Sequence, residues 1–328
     1  MSRFLASIKY VLIGAAVSGF AFPATAFAAG KFPEKPLTLI LPFSPGGTAD
    51  PIGRMMAEFL SKEIGQQIIV ENKPGASGNI AYSHVARADP DGYTMLMSYS
   101  STTACSHALS KDVTWKMEDF TPLAGFAISP VVIVSPSAVT ADDLQSFFDY
   151  VKAHPGEVNY AIAGRGTLGH ISSELLVQKT GVKMEPVVYK GSGDVFPDLL
   201  TNRVQMLMTG VPSVTQHVAA GTIKVLATTG ATRHPQLPDT PTVAESGFPE
   251  LEAEDWYGVF VRSDTDEAKK KKILEAVTAA ATDKAFIEKG ASASIIFRHI
   301  HQSAALERVK NDTARCEEVV QAAGIEKE

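Results

Sequence analysis

Cysteine is nearly absent from the 328-residue sequence, which has only Cys105 and Cys316. Two cysteines cannot make a disulfide framework. Their separation along the chain says nothing about distance, and two buried free thiols are the favoured expectation over a single bridge. Beyond residue 29 no apolar run approaches the length needed to cross a bilayer. Several patterns that would announce chemistry are missing too. There is no G-x-S-x-G elbow, no H-E-x-x-H, no C-x-x-C, and no neighbourhood that would activate either thiol, so a nucleophilic hydrolase or a zinc site has no support. His299 and His301 form an H-x-H pair that reads as solvated. Basic residues are outnumbered, with 30 Lys and Arg against 36 Asp and Glu. Such a balance gives no general reason to bind nucleic acid or an anionic membrane surface.

The start of the chain departs from the rest. Arg3 and Lys9 precede an apolar run from Val11 to Phe22 and two A-x-A patterns, Ala24-Thr25-Ala26 and Ala26-Phe27-Ala28. This is the layout of a secretory signal peptide, expected to occupy residues 1–28 with cleavage after Ala28. No cysteine stands directly after the cleavage site, so a freely soluble exported protein is expected rather than a lipoprotein. Removing Arg3 and Lys9 leaves 28 bases against 36 acids, a charge of −8. Any anion must therefore be held by local groups against the charge of the whole.

From Pro36 onward short apolar strands alternate with helical stretches. Strands are expected at 37–41, 68–70, 93–97, 131–134, 159–163, 184–189, 206–209, 223–228 and 256–261. The first helix is well marked: Asp50 can cap it, Pro51 suits its first turn, and Ile52, Met55, Met56, Phe59, Leu60 and Ile64 fall on one face. Thr140 with Asp143 suggests a capping box before LQSFFDYVKAH, and later helices are expected from about Asp266 and from Ser303 to Ala323. Alternation of this kind predicts an α/β fold with mostly parallel sheets.

The loops after the strands carry the information about function. PFSPGGTAD, SYSSTT, GRGTLGH, KGSGD and TGVPS are all small, polar and rich in glycine or hydroxyl groups. In open α/β sheets ligands bind outside the carboxyl ends of the strands, so five such loops predict one cleft lined by N–H and hydroxyl groups. The residues put forward are Ser44, Thr48, Ser100, Ser101, Gly164, Arg165, His170, Thr209 and Gly210. His170 could touch an anion or simply pack at its helix start. The G-x-G-x-x-G of Gly164 to Gly169 lacks the acidic residue a dinucleotide site needs at the end of the next strand, since Glu185 begins that strand and Tyr189 ends it. No cofactor is expected. PFSPGGTAD is neither a Walker loop nor a Rossmann loop, and Asp50 would repel phosphate; a carboxylate-type anion suits it better.

PFSPGGTADPIGRMMAEFLSKEIGQQIIVENKPGASGNIA, ADPDGYTMLM, GRGTLGH, VVYKGSGDVFPDLL, IKVLATTG and VVQAAGI together resemble the Bug, or TctC-like, family, the periplasmic solute-binding proteins of tripartite tricarboxylate transporters. The resemblance runs from about Phe32 to Ile325. It implies a two-lobed periplasmic-binding-protein fold with the ligand cleft between the lobes, no catalysis, a small organic anion as ligand, and the transporter's membrane subunits as partner. It also implies ligand contacts at Phe43, Gly46, Gly47 and Asp50 in one lobe, and at Gly166, Thr167, Tyr189, Gly191 and Ser192 in the other. The expected division is residues 29–130 and 230–328 for the first lobe and 131–229 for the second, in a monomer. Two departures from the family pattern stand out: VRSDTDEA after Trp256, and the bulky cation Arg165. If Arg165 clamped a second carboxylate, a dicarboxylate would be preferred. A sensory binding protein has the same cleft and stays open as an alternative, as does, more remotely, an exported enzyme.

Overall fold

A computed structural model describes residues 32–322 and 324–327; the expected signal peptide, residues 1–28, lies outside them. The chain runs β1 (Leu37–Leu41), α1 (Ala49–Ile64), β2 (Ile68–Asn72), α2 (Asn79–Arg87), β3 (Thr94–Tyr99), α3 (Ser100–Leu109) and β4 (Phe120–Pro136). It continues through α4 (Leu144–Ala153), β5 (Asn159–Ile162), α5 (Leu168–Thr180), β6 (Glu185–Val188), α6 (Ser192–Leu200), β7 (Met206–Gly210), α7 (Val211–Ala219) and β8 (Ile223–Thr228). The last stretch holds β9 (Glu254–Arg262), α8 (Glu267–Thr282), α9 (Lys284–Ser292), β10 (Ile296–Ile300) and α10 (Gln302–Ala322).

The result is a two-lobed α/β fold. One sheet has the order β2-β1-β3-β9-β4, with β10 also on β4; the other runs β4-β7-β5-β6, with β8 also on β4. Strand β4 belongs to both. Its residues Phe120 to Pro130 pair with β9, and Val131 to Pro136 pair with β7 and β8.

The inner strands of each sheet are buried on both faces and read as near-continuous apolar runs, while the edge strands β2 and β6 stay partly exposed. Leu37, Leu39 and Leu41 pack with Ile52, Met56 and Leu60 of α1 and Ile273 and Val277 of α8. Ile40, between them in sequence, points the other way into a cluster with Tyr82, Phe260 and Val309. In the other sheet Ile133 meets Phe147 and Leu176, while Val132 and Val134 meet Val195, Leu199 and Val214.

Several expectations need correcting. Among the described residues four strand pairings are parallel and five antiparallel, because β4, β9 and the strands on them run against their neighbours. The 131–134 strand is the end of a strand of 17 residues. Register shifts between Pro122 and Ala124 and between Gly125 and Ala127 let it run on past Pro122 and Gly125. Thr140 does not cap α4; Asp143 does, accepting from Ser146 N. Helix α9 and strand β10 were not expected, and β10 brings His299 against Thr278, 3.3 Å away. Most important, Cys105 and Cys316 are bonded, not free. Helix α10 returns the chain alongside α3 and brings two residues 211 positions apart to a Cα separation of 5.5 Å.

Candidate ligand-binding site

One cavity lies where the two sheets meet. With the open space at its mouth counted, it spans about 490 Å³. Its first wall carries Phe43, Tyr99 and Tyr257, whose rings form a row with centroids 4.8 and 5.4 Å apart. The second wall carries Thr167, Ser192, Met208, Thr209 and Gly210. Four helices begin on its lining, α1 at Ala49, α5 at Leu168, α6 at Ser192 and α7 just after Gly210. Their first N–H groups have no partners within the helix and carry the positive end of the helix dipole.

The lobes touch at this cavity. Ser44 donates to Asp194 Oδ2 at 2.9 Å, and Leu168 N donates to Ser101 Oγ at 2.9 Å. Glycine permits the closest approaches. A Cβ on Gly47 would stand 2.9 Å from Ser192 Oγ, and one on Gly193 would stand 2.7 Å from the Pro45 carbonyl oxygen. The two walls are therefore in direct contact here.

Seven of the residues put forward from sequence line the cavity: Phe43, Gly47, Thr48, Thr167, Ser192, Thr209 and Gly210. The others support it or face elsewhere. Gly46 has a φ of +80° that lets the loop turn, and its N–H donates to Asp50 Oδ2. Asp50 is not the cap expected of it, since it lies inside α1, which starts at Ala49. Its carboxylate holds Arg54 and the Asn72 side chain, tying loop, helix and β2 together. Gly164 and Gly166 both take positive φ, and a Cβ on Gly166 would press on Cys105. Thr167 caps α5, accepting from His170 N. His170 is buried, its Nδ1 accepting from Gly166 N and its Nε2 lying 3.5 Å from Glu174, so it packs rather than lines the cavity. Tyr189 turns its hydroxyl to Asp198 at 2.8 Å. Gly191 leaves room for Ser44. Arg165 also points away: its Nη2 donates to the Glu326 carbonyl, and it borders a separate outer groove with Ser44, Gly164 and Tyr189.

Ser100 and Ser101 lead to a residue that sequence reasoning missed. Ser100 Oγ and Ser101 N, at the start of α3, donate to Asp255 Oδ1 at 2.9 and 3.0 Å. Asp255 lines the cavity and is 5% exposed. Burial pushes its carboxyl up to about 7, against the lowering by these serine donors. Burial likewise raises Tyr99 and Tyr257, with the Asp255 charge adding to both, so both phenols stay neutral. Asp255 was missed because candidate sites were sought after parallel strands. Strand β9 is antiparallel, with Tyr257 opposite Tyr99 and Asp255 opposite Ser129, so its beginning lies beside the end of β3. The available signal was an acid one residue ahead of the apolar run WYGVFV.

A family model described as the tripartite tricarboxylate transporter family receptor, TctC, matches residues 52–325. The chain belongs to the TctC family. It is similar to protein BugT of Bordetella pertussis, with 34% identity over 298 residues covering 89% of this chain and 90% of BugT. Among solved structures it resembles the periplasmic binding protein BugD, with 29% identity and a TM-score of 0.86 over 90% of this chain and all of BugD. It also resembles an R. palustris protein solved with adipate, with 30% identity and a TM-score of 0.87 over 91% of this chain and all of that one. This TctC-family chain thus shares the two-lobed fold of solute-binding proteins, with its cavity where the lobes meet.

Proposed function

We propose that this TctC-family protein is a periplasmic solute-binding protein that captures a small organic carboxylate between its lobes and presents it to the membrane subunits of a tripartite tricarboxylate-type transporter. The observation that carries this reading is the convergence of four helix starts on a cavity with no lysine, arginine or histidine in its lining. Two or three N–H bonds to a carboxylate, at about 1.5 to 3 kcal/mol each before losses, account for much of a micromolar affinity of about 8 kcal/mol. The adipate held by the R. palustris relative supports the ligand class.

The lobes are taken as residues 29–130 with 230–328, and 131–229. In support, β4 changes sheet between Pro130 and Val131. The chain comes back at Thr229, whose N donates to Val131 O and whose carbonyl accepts from Ala253 N, both at 2.9 Å. A hinge made of these two crossings lets ligand draw the lobes together. The test is a thermal-shift screen of small carboxylates followed by calorimetry and X-ray scattering. A stabilising carboxylate that shrinks the radius of gyration is expected; scattering curves that superimpose with and without saturating ligand count against capture by closure. Transport is tested by deleting the gene, where loss of uptake of that carboxylate is the expected result.

A further inference from the structure

Among the residues lining the cavity one alone can carry a charge near neutral pH, and it is an acid, Asp255. This is unexpected for an anion site. No lysine, arginine or histidine forms an ion pair with Asp255 among the described residues, although it is almost wholly buried. A buried charge without a counter-ion is costly, and structures keep one where a ligand completes it. Oδ1 is committed to Ser100 and Ser101 at the start of α3. These are donors, so they set the carboxylate up as an acceptor. The other charged or titratable groups near it are Tyr82 on α2, Tyr99 on β3, Glu254 and Tyr257 on β9, Asp312 and Arg315 on α10, and Glu250 ahead of β9. Asp312 works against its ionisation, and Arg315 holds the Glu252 carbonyl at 3.3 Å.

The cavity therefore has two electrostatic ends, with helix starts that favour an anion and one acid that favours a donor. We propose that Asp255 is the specificity residue of the cleft and receives a protonated amine of the ligand, so that an amino-carboxylate is preferred over a dicarboxylate. The inference rests on the carboxylate-binding reading above. It also replaces the dicarboxylate clamp weighed for Arg165 against an outward-facing side chain, since the guanidinium reaches the Glu326 carbonyl rather than the cavity.

The probes are matched sets of carboxylates of two to six carbons, each set holding the plain acid, its α- and ω-amino acids and the dicarboxylate, measured by calorimetry from pH 6 to pH 8. At pH 8 an amino acid is expected to bind at least tenfold more tightly than the plain acid or dicarboxylate of its set. Because the free Asp255 titrates near 7 and the amine needs it ionised, affinity for that amino acid should weaken by about tenfold from pH 8 to pH 6, with proton release on binding at pH 6. Asp255→Asn keeps an acceptor for Ser100 and Ser101, and should lose the preference for the amino acid while holding the plain acid within about threefold. The pH series on the unaltered protein decides the matter even where the variant folds poorly. A preferred dicarboxylate whose binding tightens as pH falls overturns the proposal, because Asp255 is then a protonated donor. Equal effects of Asp255→Asn on every member of a set overturn it as well. If no carboxylate binds at any pH, the carboxylate-binding reading itself falls and this inference with it.

Discussion

The two walls of the cavity are built differently. The wall from the first sheet holds the large and the charged side chains, with Phe43, Tyr99 and Tyr257 in a row and Asp255 beneath them. The wall from the second sheet is mostly small, with the hydroxyls of Thr167, Ser192 and Thr209 and the glycine Gly210 beside one large side chain, Met208. On the proposed reading, aromatic rings and a buried acid have fixed shapes and fixed demands, so the first wall is the one that reads the ligand. Small residues can approach any ligand closely without reading it, so on the same reading the second wall closes over what the first has chosen.

The largest effect should come from blocking the approach. Gly47→Val puts its first carbon only 2.9 Å from Ser192 Oγ, in a backbone conformation that needs no glycine. A loss of affinity of more than about a hundredfold is expected, worth about 3 kcal/mol, with the melting temperature nearly unchanged and the scattering profile open at saturating ligand. Unchanged affinity would remove this loop from the closing surface.

A smaller effect should appear on the reading wall without ligand. The folded-state value of Asp255 is raised, so its contribution to stability is present at low pH and is lost as pH rises through about 7. Asp255→Asn removes that loss. The variant should melt about 2 °C or more above the parent at pH 8, with the gap closing toward pH 5. A gap independent of pH would mean that Asp255 ionises in the fold as freely as in the unfolded chain.

Arg165→Ala should do least. Its guanidinium meets the carbonyl of Glu326 outside the cavity, so affinities for mono- and dicarboxylates should both stay within about twofold. A selective loss of dicarboxylate binding would return the residue to the site.

These contrasts also show what could be read in advance. The turn after β1 was legible because Gly46 needs its positive φ and the apolar spacing of α1 follows at once. The closing wall was legible for the same reason, since Thr167 and Ser192 lie where a strand gives way to a helix and Thr209 and Gly210 end β7 just before α7. The reading wall was half hidden. Phe43 lies in the first loop, but Tyr99 was placed just past a strand that actually includes it, and Tyr257 and Asp255 belong to a strand that arrives from the far end of the chain and runs backward. Local pattern gives a strand's existence, not its direction in the sheet. Arg165 shows the reverse: its position in the loop was visible, but the partner that turns it outward, Glu326, lies 161 residues away.

The Cys105–Cys316 bond has a topological meaning apart from its place beside the cleft. Residues 105 to 316 form a covalent ring, and the ring contains the whole of the second sheet from Val131 to Thr228. A protease that cuts once at an exposed loop of that lobe opens the ring but releases nothing. The nicked molecule should run as one species on a denaturing gel without reductant and as two fragments once the bond is reduced.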